Sequence, residues 1–218
     1  MKNSIQGGGA IAALYMGIAY IFGIIVFLFF LNPDTPLSGQ EYLAFIIDHQ
    51  TIYLLSNMLI YPVFGIALLF LTLALYHRMR DKDLFRAQIM AALGLIWSVL
   101  VISSGMIANV GLEKAITTFP EDPASAVALW TTLGTISEAL GGGVEVVGGL
   151  WVLFISISGF KKAVFTKAFS ILGLLVAIPG ILTLIPGLGE LGAIFGILQI
   201  PWFFWLGILL SKSPAQNI

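Results

Sequence analysis

The chain has 218 residues, of which 59% are hydrophobic and only 10% charged, with a net charge of −1. A soluble domain of this length normally carries about 25% charged residues, so the composition argues against a water-soluble globule. It contains no cysteine, which removes disulfides, thiolate metal sites and cysteine nucleophiles. No basic patch reaches the size that nucleic-acid binding needs.

A membrane span needs about 20 apolar residues, and six segments qualify. They are roughly 10–31, 52–76, 87–111, 124–158, 168–185 and 191–210, within a single integral membrane domain over residues 1–218. The expected fold is therefore all-α, a polytopic helical bundle with six transmembrane helices. The first apolar run has 22 residues, longer than the roughly 7–15 of a secretory leader, and no small-residue cleavage signal follows it. It is expected to be retained as a span.

Lysine and arginine set the orientation. Lys2, Arg78, Arg80, Lys82, Arg86, Lys161, Lys162, Lys167 and Lys212 all fall on one side of the six-span scheme, and only Lys114 on the other. Both termini are thus expected in the cytoplasm of a multi-pass cell-membrane protein, with the lipid bilayer as its surroundings.

The loop after the first span opens with turn chemistry at Asn32-Pro33-Asp34-Thr35-Pro36. Ser38-Gly39-Gln40-Glu41 has the form of a capping box, with Tyr42, Leu43, Phe45, Ile46 and Ile47 behind it. This predicts a short amphipathic helix on the outer surface. His49 at its end could act as a pH-sensitive group, although a solvated or hydrogen-bonded side chain is the commoner role. The inner loop 77–86 mixes Arg78, Arg80, Asp81, Lys82, Asp83 and Arg86, a pattern expected of a topology anchor beside headgroups.

The second span holds Asn57, Tyr61 and Pro62, and the third Ser103, Ser104 and Asn109. Asp122-Pro123 reads as an N-cap and first helical position. The helix that follows is unlike the others, because it carries Glu138 and Glu145 in its apolar interior. With Gly134, Gly141, Gly142, Gly148, Gly149 and Val152 they fall on one helical stripe. Ile136, Leu140, Val147, Leu150 and Phe154 occupy the opposite face. Small residues let membrane helices approach closely, and a carboxyl facing lipid costs about 3 kcal/mol on insertion scales. The stripe is expected to point inward, with Glu145 near mid-membrane and Glu138 nearer the outer boundary.

No lysine or arginine lies inside a span, so neither glutamate has a salt-bridge partner. Each is expected to be neutral, or to hold a cation. Asn57, Tyr61, Ser103, Ser104 and Asn109 are the candidate hydrogen-bond partners. Glu145 and Glu138 are the candidate proton or cation site; the alternative is a polar pair that only ties helices together.

The last two segments carry Pro179 and Pro201 and a turn at Pro186-Gly187-Leu188-Gly189-Glu190. Prolines here predict kinks, and Glu190 is expected to cap the last helix. Trp202, Phe203, Phe204 and Trp205 suggest an interfacial aromatic belt.

Catalytic signatures are missing. Gly141–Gly143 lacks the Lys-Ser/Thr of a phosphate loop, and there is no His-Glu-x-x-His or Gly-x-Ser-x-Gly. His49 and His77 fall on opposite sides of the membrane, which argues against a bis-histidine haem. No cofactor or metal is implied. The sequence leaves a small-solute or proton/cation-coupled transporter or channel, or a non-catalytic structural or accessory membrane protein.

The run Leu71-Thr72-Leu73-Ala74-Leu75-Tyr76-His77-Arg78 resembles a bacterial family of six-span membrane proteins catalogued as a domain of unknown function (family 4386). So do Gly159-Phe160-Lys161-Lys162, Leu172-Gly173 and Pro201-Trp202-Phe203-Phe204-Trp205-Leu206-Gly207. The resemblance implies a six-span helical fold and no particular activity.

Overall fold

The computed structural model describes residues 2–142 and 145–212. Every regular element among them is helical. In chain order they are α1 (Lys2–Phe29), α2 (Gly39–Asp48), α3 (Gln50–Met58), a π-helical segment (Leu59–Val63), α4 (Phe64–Met79) and α5 (Leu84–Thr118). There follow α6 (Pro123–Ser137), a second π-helical segment (Glu138–Gly142), α7 (Val146–Lys162), α8 (Lys167–Leu182) and α9 (Leu191–Ser211).

Five helical stretches are long and apolar enough to cross a membrane: Ser4–Phe29, Gln50–Met79, Leu84–Thr118, Pro123–Lys162 and Leu191–Ser211. This fits a membrane protein. The remaining expected span, the fifth, is α8, which has only 16 residues, about 24 Å of helix at 1.5 Å per residue. Large apolar side chains also face outward all round the bundle, among them Phe70, Val99, Leu175, Ile178 and Ile208. On a water-soluble protein such a surface would be a liability; against lipid tails it is not.

α1 packs on α4 and α9, α4 on α5, α5 on α6 and α7, and α7 on α8, which meets α9. The main core is aromatic. Trp97, Trp151, Trp202, Phe169, Phe195 and Phe203 are fully or almost fully buried, in chains of ring contacts such as Trp97–Trp151 and Trp151–Trp202, both 5.7 Å between centroids. Trp202 and Phe203 therefore do not form the expected interfacial belt; they fill the space between α8, α7 and α1, and Trp205 alone of the four is exposed.

The end of the bundle that carries most of the cationic residues is tied by short contacts. Gln6 Nε2 donates to Ala74 O at 2.8 Å, Lys82 Nζ to Ala163 O at 3.0 Å, and Arg78 lies over the Phe165 ring. The charged loop before α5 is more than an anchor. Asp83 Oδ2 accepts from Arg86 Nη1 at 2.7 Å and from Ser158 Oγ at 2.5 Å, which joins it to α7.

At the opposite end α2 covers the bundle. Its capping box is formed, with Glu41 Oε2 accepting from Ser38 N and Ser38 Oγ from Glu41 N. Leu43 and Ile46 are buried against Val26, Leu31, Leu112, Ala115 and Ala126. His49 links α2 to α3; its Nδ1 pairs with Phe45 O at 2.8 Å and its ring lies 4.4 Å from that of Phe45. Asp122 caps α6 through Ser125 N and Ser125 Oγ.

Candidate functional site

The helix that carries the two glutamates is not continuous. α6 runs into a π-helical segment, and Gly141 then takes φ 149°, which no side-chain-bearing residue adopts without strain. The second half-helix starts at Val146, with Glu145 at its N-cap position. Glu138 and Glu145 consequently do not share one stripe, and the expected single face is split at Gly141. Gly143, part of that glycine run, lies outside the described residues.

Below the break the small face behaves as the sequence predicts. Gly148, Gly149 and Val152 are buried, whereas Ile136 above the break faces outward. A Cβ on Gly149 would lie 2.7–2.9 Å from backbone atoms of Ile181, Ala177 and Gly180. The α7 and α8 backbones are therefore in direct contact, as glycine pairs permit between membrane helices.

That contact positions Glu145. Its backbone N–H donates to Thr183 Oγ1 at 2.9 Å, and the Thr183 hydroxyl donates to Gly180 O at 2.7 Å. Thr183 thus supplies the N–H with a partner at the helix break, where the regular ladder gives none. The side chain is treated differently: Oε2 of Glu145 is buried without a hydrogen-bond partner among the described residues. An orphaned buried carboxyl oxygen is costly, and a water, an ion or a functional role is what such a group calls for.

Glu145 lies in the wall of a cavity of about 740 Å³. Tyr20 and Phe27 of α1, Tyr61 of the first π segment, Phe64, and Trp97 of α5 form much of the remaining wall. Gly141 and, on the far side, Glu190, Ala193 and Ile197 complete it. A second cavity of about 390 Å³ holds Glu138, with Asn57, Tyr53, Trp130 and Thr135. Tyr61 and Phe27 belong to both walls. Two π-helical segments therefore face this region, one bearing Tyr61 and one bearing Glu138. Such segments concentrate at functional sites because they re-aim side chains and free backbone groups. The first is built around Pro62, and its widened turn is closed by Phe64 N–H donating to Leu59 O.

The expected polar partners are differently engaged. Asn57 Nδ2 donates to Asn109 Oδ1 at 2.8 Å and to Gly105 O at 3.2 Å, and Asn109 Nδ2 donates to Leu54 O at 3.3 Å. The Ser104 and Ser137 hydroxyls lie 2.8 Å apart and each lies 2.8 Å from the other's carbonyl, so their two protons serve three alternative contacts. Ser103 is half-buried on α5. Of the five, Tyr61 is in the walls of both cavities and Asn57 in that of the cavity holding the exposed Glu138. Asn57, Asn109 and Ser104 staple α3, α5 and α6 together. Glu190 also departs from expectation: it stands at the N-cap position of α9 without a side-chain cap bond, and its place is in the cavity wall.

Comparison with family models, curated proteins and solved structures returns no match. The site is accordingly read from its own residues.

Among the described residues no cluster of three or more acidic or histidine side chains could hold a metal ion. Several residues were not placed at the site from the sequence: Tyr20, Phe64 and Trp97 in the wall, Glu190, expected only as a helix cap, and the positioning hydroxyl of Thr183. A weak signal existed for Tyr20, which has a polar tip inside the first apolar run. None existed for the others, since the wall is assembled from helices distant in sequence.

Proposed function

We propose that the chain is a six-span protein of the cell membrane, with both termini in the cytoplasm, that moves a small solute or cation through an intramembrane carboxyl site. Glu145 is the ion- or proton-carrying group and Glu138 its outer relay. The nine-to-one distribution of lysine and arginine supports the orientation. In this scheme α8 is the short fifth span and α2 lies at the outer surface. A place in the six-span bacterial family it resembles is part of the same proposal and adds no activity to it.

One observation carries the reading. The unpartnered Oε2 belongs to a side chain in the wall of a large cavity, and the cavity beside it contains the second glutamate. Intramembrane ionisable residues that face a cavity typically mark substrate or ion paths. The wall of the Glu145 cavity draws on α1 and α9 as well as on the second, third and fourth spans. The competing reading, an accessory protein whose glutamates only tie helices together, requires both carboxyls to be satisfied in a closed bundle. Glu145 Oε2 has no such partner.

Labelling with a lipophilic carbodiimide tests the proposal. In the folded protein in nanodiscs, the peptide containing Glu145 should acquire the N-acylurea adduct, read by mass spectrometry. A fully folded protein that leaves Glu145 unlabelled would support the accessory reading instead.

A further inference from the structure

The cavity around Glu145 has a composition that selects for a ligand class. Its wall contains no lysine, arginine or histidine, so an anion would find no counter-charge. Two carboxyls are present, Glu145 in the depth and the exposed Glu190 at the turn before α9. A small inorganic cation is poorly served as well. Such ions take about six oxygen ligands, and the side-chain oxygens of the wall are those of the two glutamates and of Tyr20 and Tyr61. What the wall does offer is aromatic area. Tyr20 meets Phe64 edge-on at 5.6 Å and Phe203 in a stack at 6.2 Å, and Phe64 meets Trp97 at 6.1 Å. These mutual contacts hold the rings in place before any ligand arrives. A cation over such faces is stabilised without needing oxygen ligands.

The cavity also has a side entrance. Ile24, Leu28 and Ile197 belong to its wall and are 37%, 58% and 57% exposed, while the Tyr20 ring of α1 meets Gly196 of α9 beside them. The opening therefore lies between the later half of α1 and the first half of α9. Elsewhere the two helices are closed on each other, with Gly17 against the Phe204 ring and Gly207 against Leu14. In a membrane this slot faces acyl chains, so entry favours a molecule that is already lipid-soluble.

We infer that the cavity binds a lipophilic organic monocation, admitted sideways from the bilayer between α1 and α9, with the Glu145 carboxylate as its counter-ion. The inference rests on the proposed role of Glu145 and names the ligand class for that site. A volume of about 740 Å³ lies within the roughly 300–1,000 Å³ of pockets that hold drug-sized molecules. Glu190 at the mouth adds a second negative charge that draws cations toward the slot.

The test uses two probes of the same shape and opposite charge, tetraphenylphosphonium and tetraphenylborate, with purified protein in nanodiscs of zwitterionic lipid. Tetraphenylphosphonium should bind saturably, protect Glu145 from carbodiimide labelling, and lose at least tenfold in affinity in Glu145→Gln. Tetraphenylborate should not compete. Ala193→Trp narrows the slot from α9 and should weaken cation binding without touching the carboxyl, so the inference stays testable if Glu145→Gln does not fold. Equal binding of the two probes, or unchanged cation affinity in both variants, would mean a plain apolar slot filled by lipid and would overturn it. If tetraphenylphosphonium fails to bind while Glu145 still labels, the ligand class is wrong and the Glu145 site stands. If Glu145 does not label either, both readings fall.

Discussion

Ser158 on α7 and Asp83 before α5 are 75 positions apart and share a hydrogen bond of 2.5 Å, the hydroxyl donating to a carboxylate oxygen that also takes Arg86. The Asp83 side chain is only 6% exposed. Burial pushes its carboxyl up, but the Ser158 and Arg86 hydrogen bonds and the Arg86 charge outweigh this, and it titrates below the usual range. A carboxyl held below its unfolded value of about 3.9 contributes stability that is complete above that pH and is lost as pH falls through the folded value. Thermal unfolding in detergent should therefore show an acid loss of stability that Asp83→Asn flattens. Ser158→Ala should cost about 1.5–3 kcal/mol at neutral pH, the range for a hydrogen bond to a charged group.

The Asn57–Asn109 pair leads to a different expectation. It staples α3 to α5 next to the Tyr61 turn, and it makes no contact with the glutamates. Asn109→Leu leaves the Asn57 amide with one acceptor and frees the Leu54 carbonyl. The variant should lose about 1–2 kcal/mol of stability and keep carbodiimide labelling at Glu145. Loss of labelling at unchanged stability would place Asn109 in the site.

Gly149 sits one turn from Glu145 against the backbone of α8. Its missing Cβ faces backbone atoms of α8, which cannot swing aside as a side-chain tip would. Gly149→Val should separate α7 from α8 and cost about 2–3 kcal/mol as overpacking, measured by thermal unfolding. It should also disturb the Thr183 contact that holds Glu145 in place.

The sequence made the apolar helices legible because their lengths and the charges between them follow the thickness of a bilayer. Ser38, Glu41, Asp122 and Pro123 marked helix starts because capping needs only local geometry. The glycine run at Gly141–Gly143 allowed a break there, but a Gly–Glu repeat of four and seven fits an unbroken helix equally well, and only the positive φ of Gly141 distinguishes the two. Asn57, Ser104 and Asn109 were placed with the glutamates because spacing gives a face and not a partner; Asn57 and Asn109 pair with each other across α3 and α5 instead, and Ser104 pairs with Ser137 of α6. Trp202 and Phe203 looked interfacial from their place near the chain's end, yet Trp202 stacks on Phe169 of α8 and Phe203 on Tyr20 of α1 in the core. Glu145 itself was legible, since a carboxyl inside an apolar helix stands out in any context. Its cavity was not, because α1, α5 and α9 bring walls that no local pattern announces.

The central claim is that the Glu145 carboxyl is a working group reached from outside the bundle. Infrared difference spectroscopy of the carboxyl stretch, with Glu145→Gln as the reference, tests it most directly. The account predicts a band whose intensity follows the bulk pH in the native chain and is missing from the variant. A Glu145 band that stays constant at every pH at which the protein is folded would show a sealed carboxyl and contradict the account.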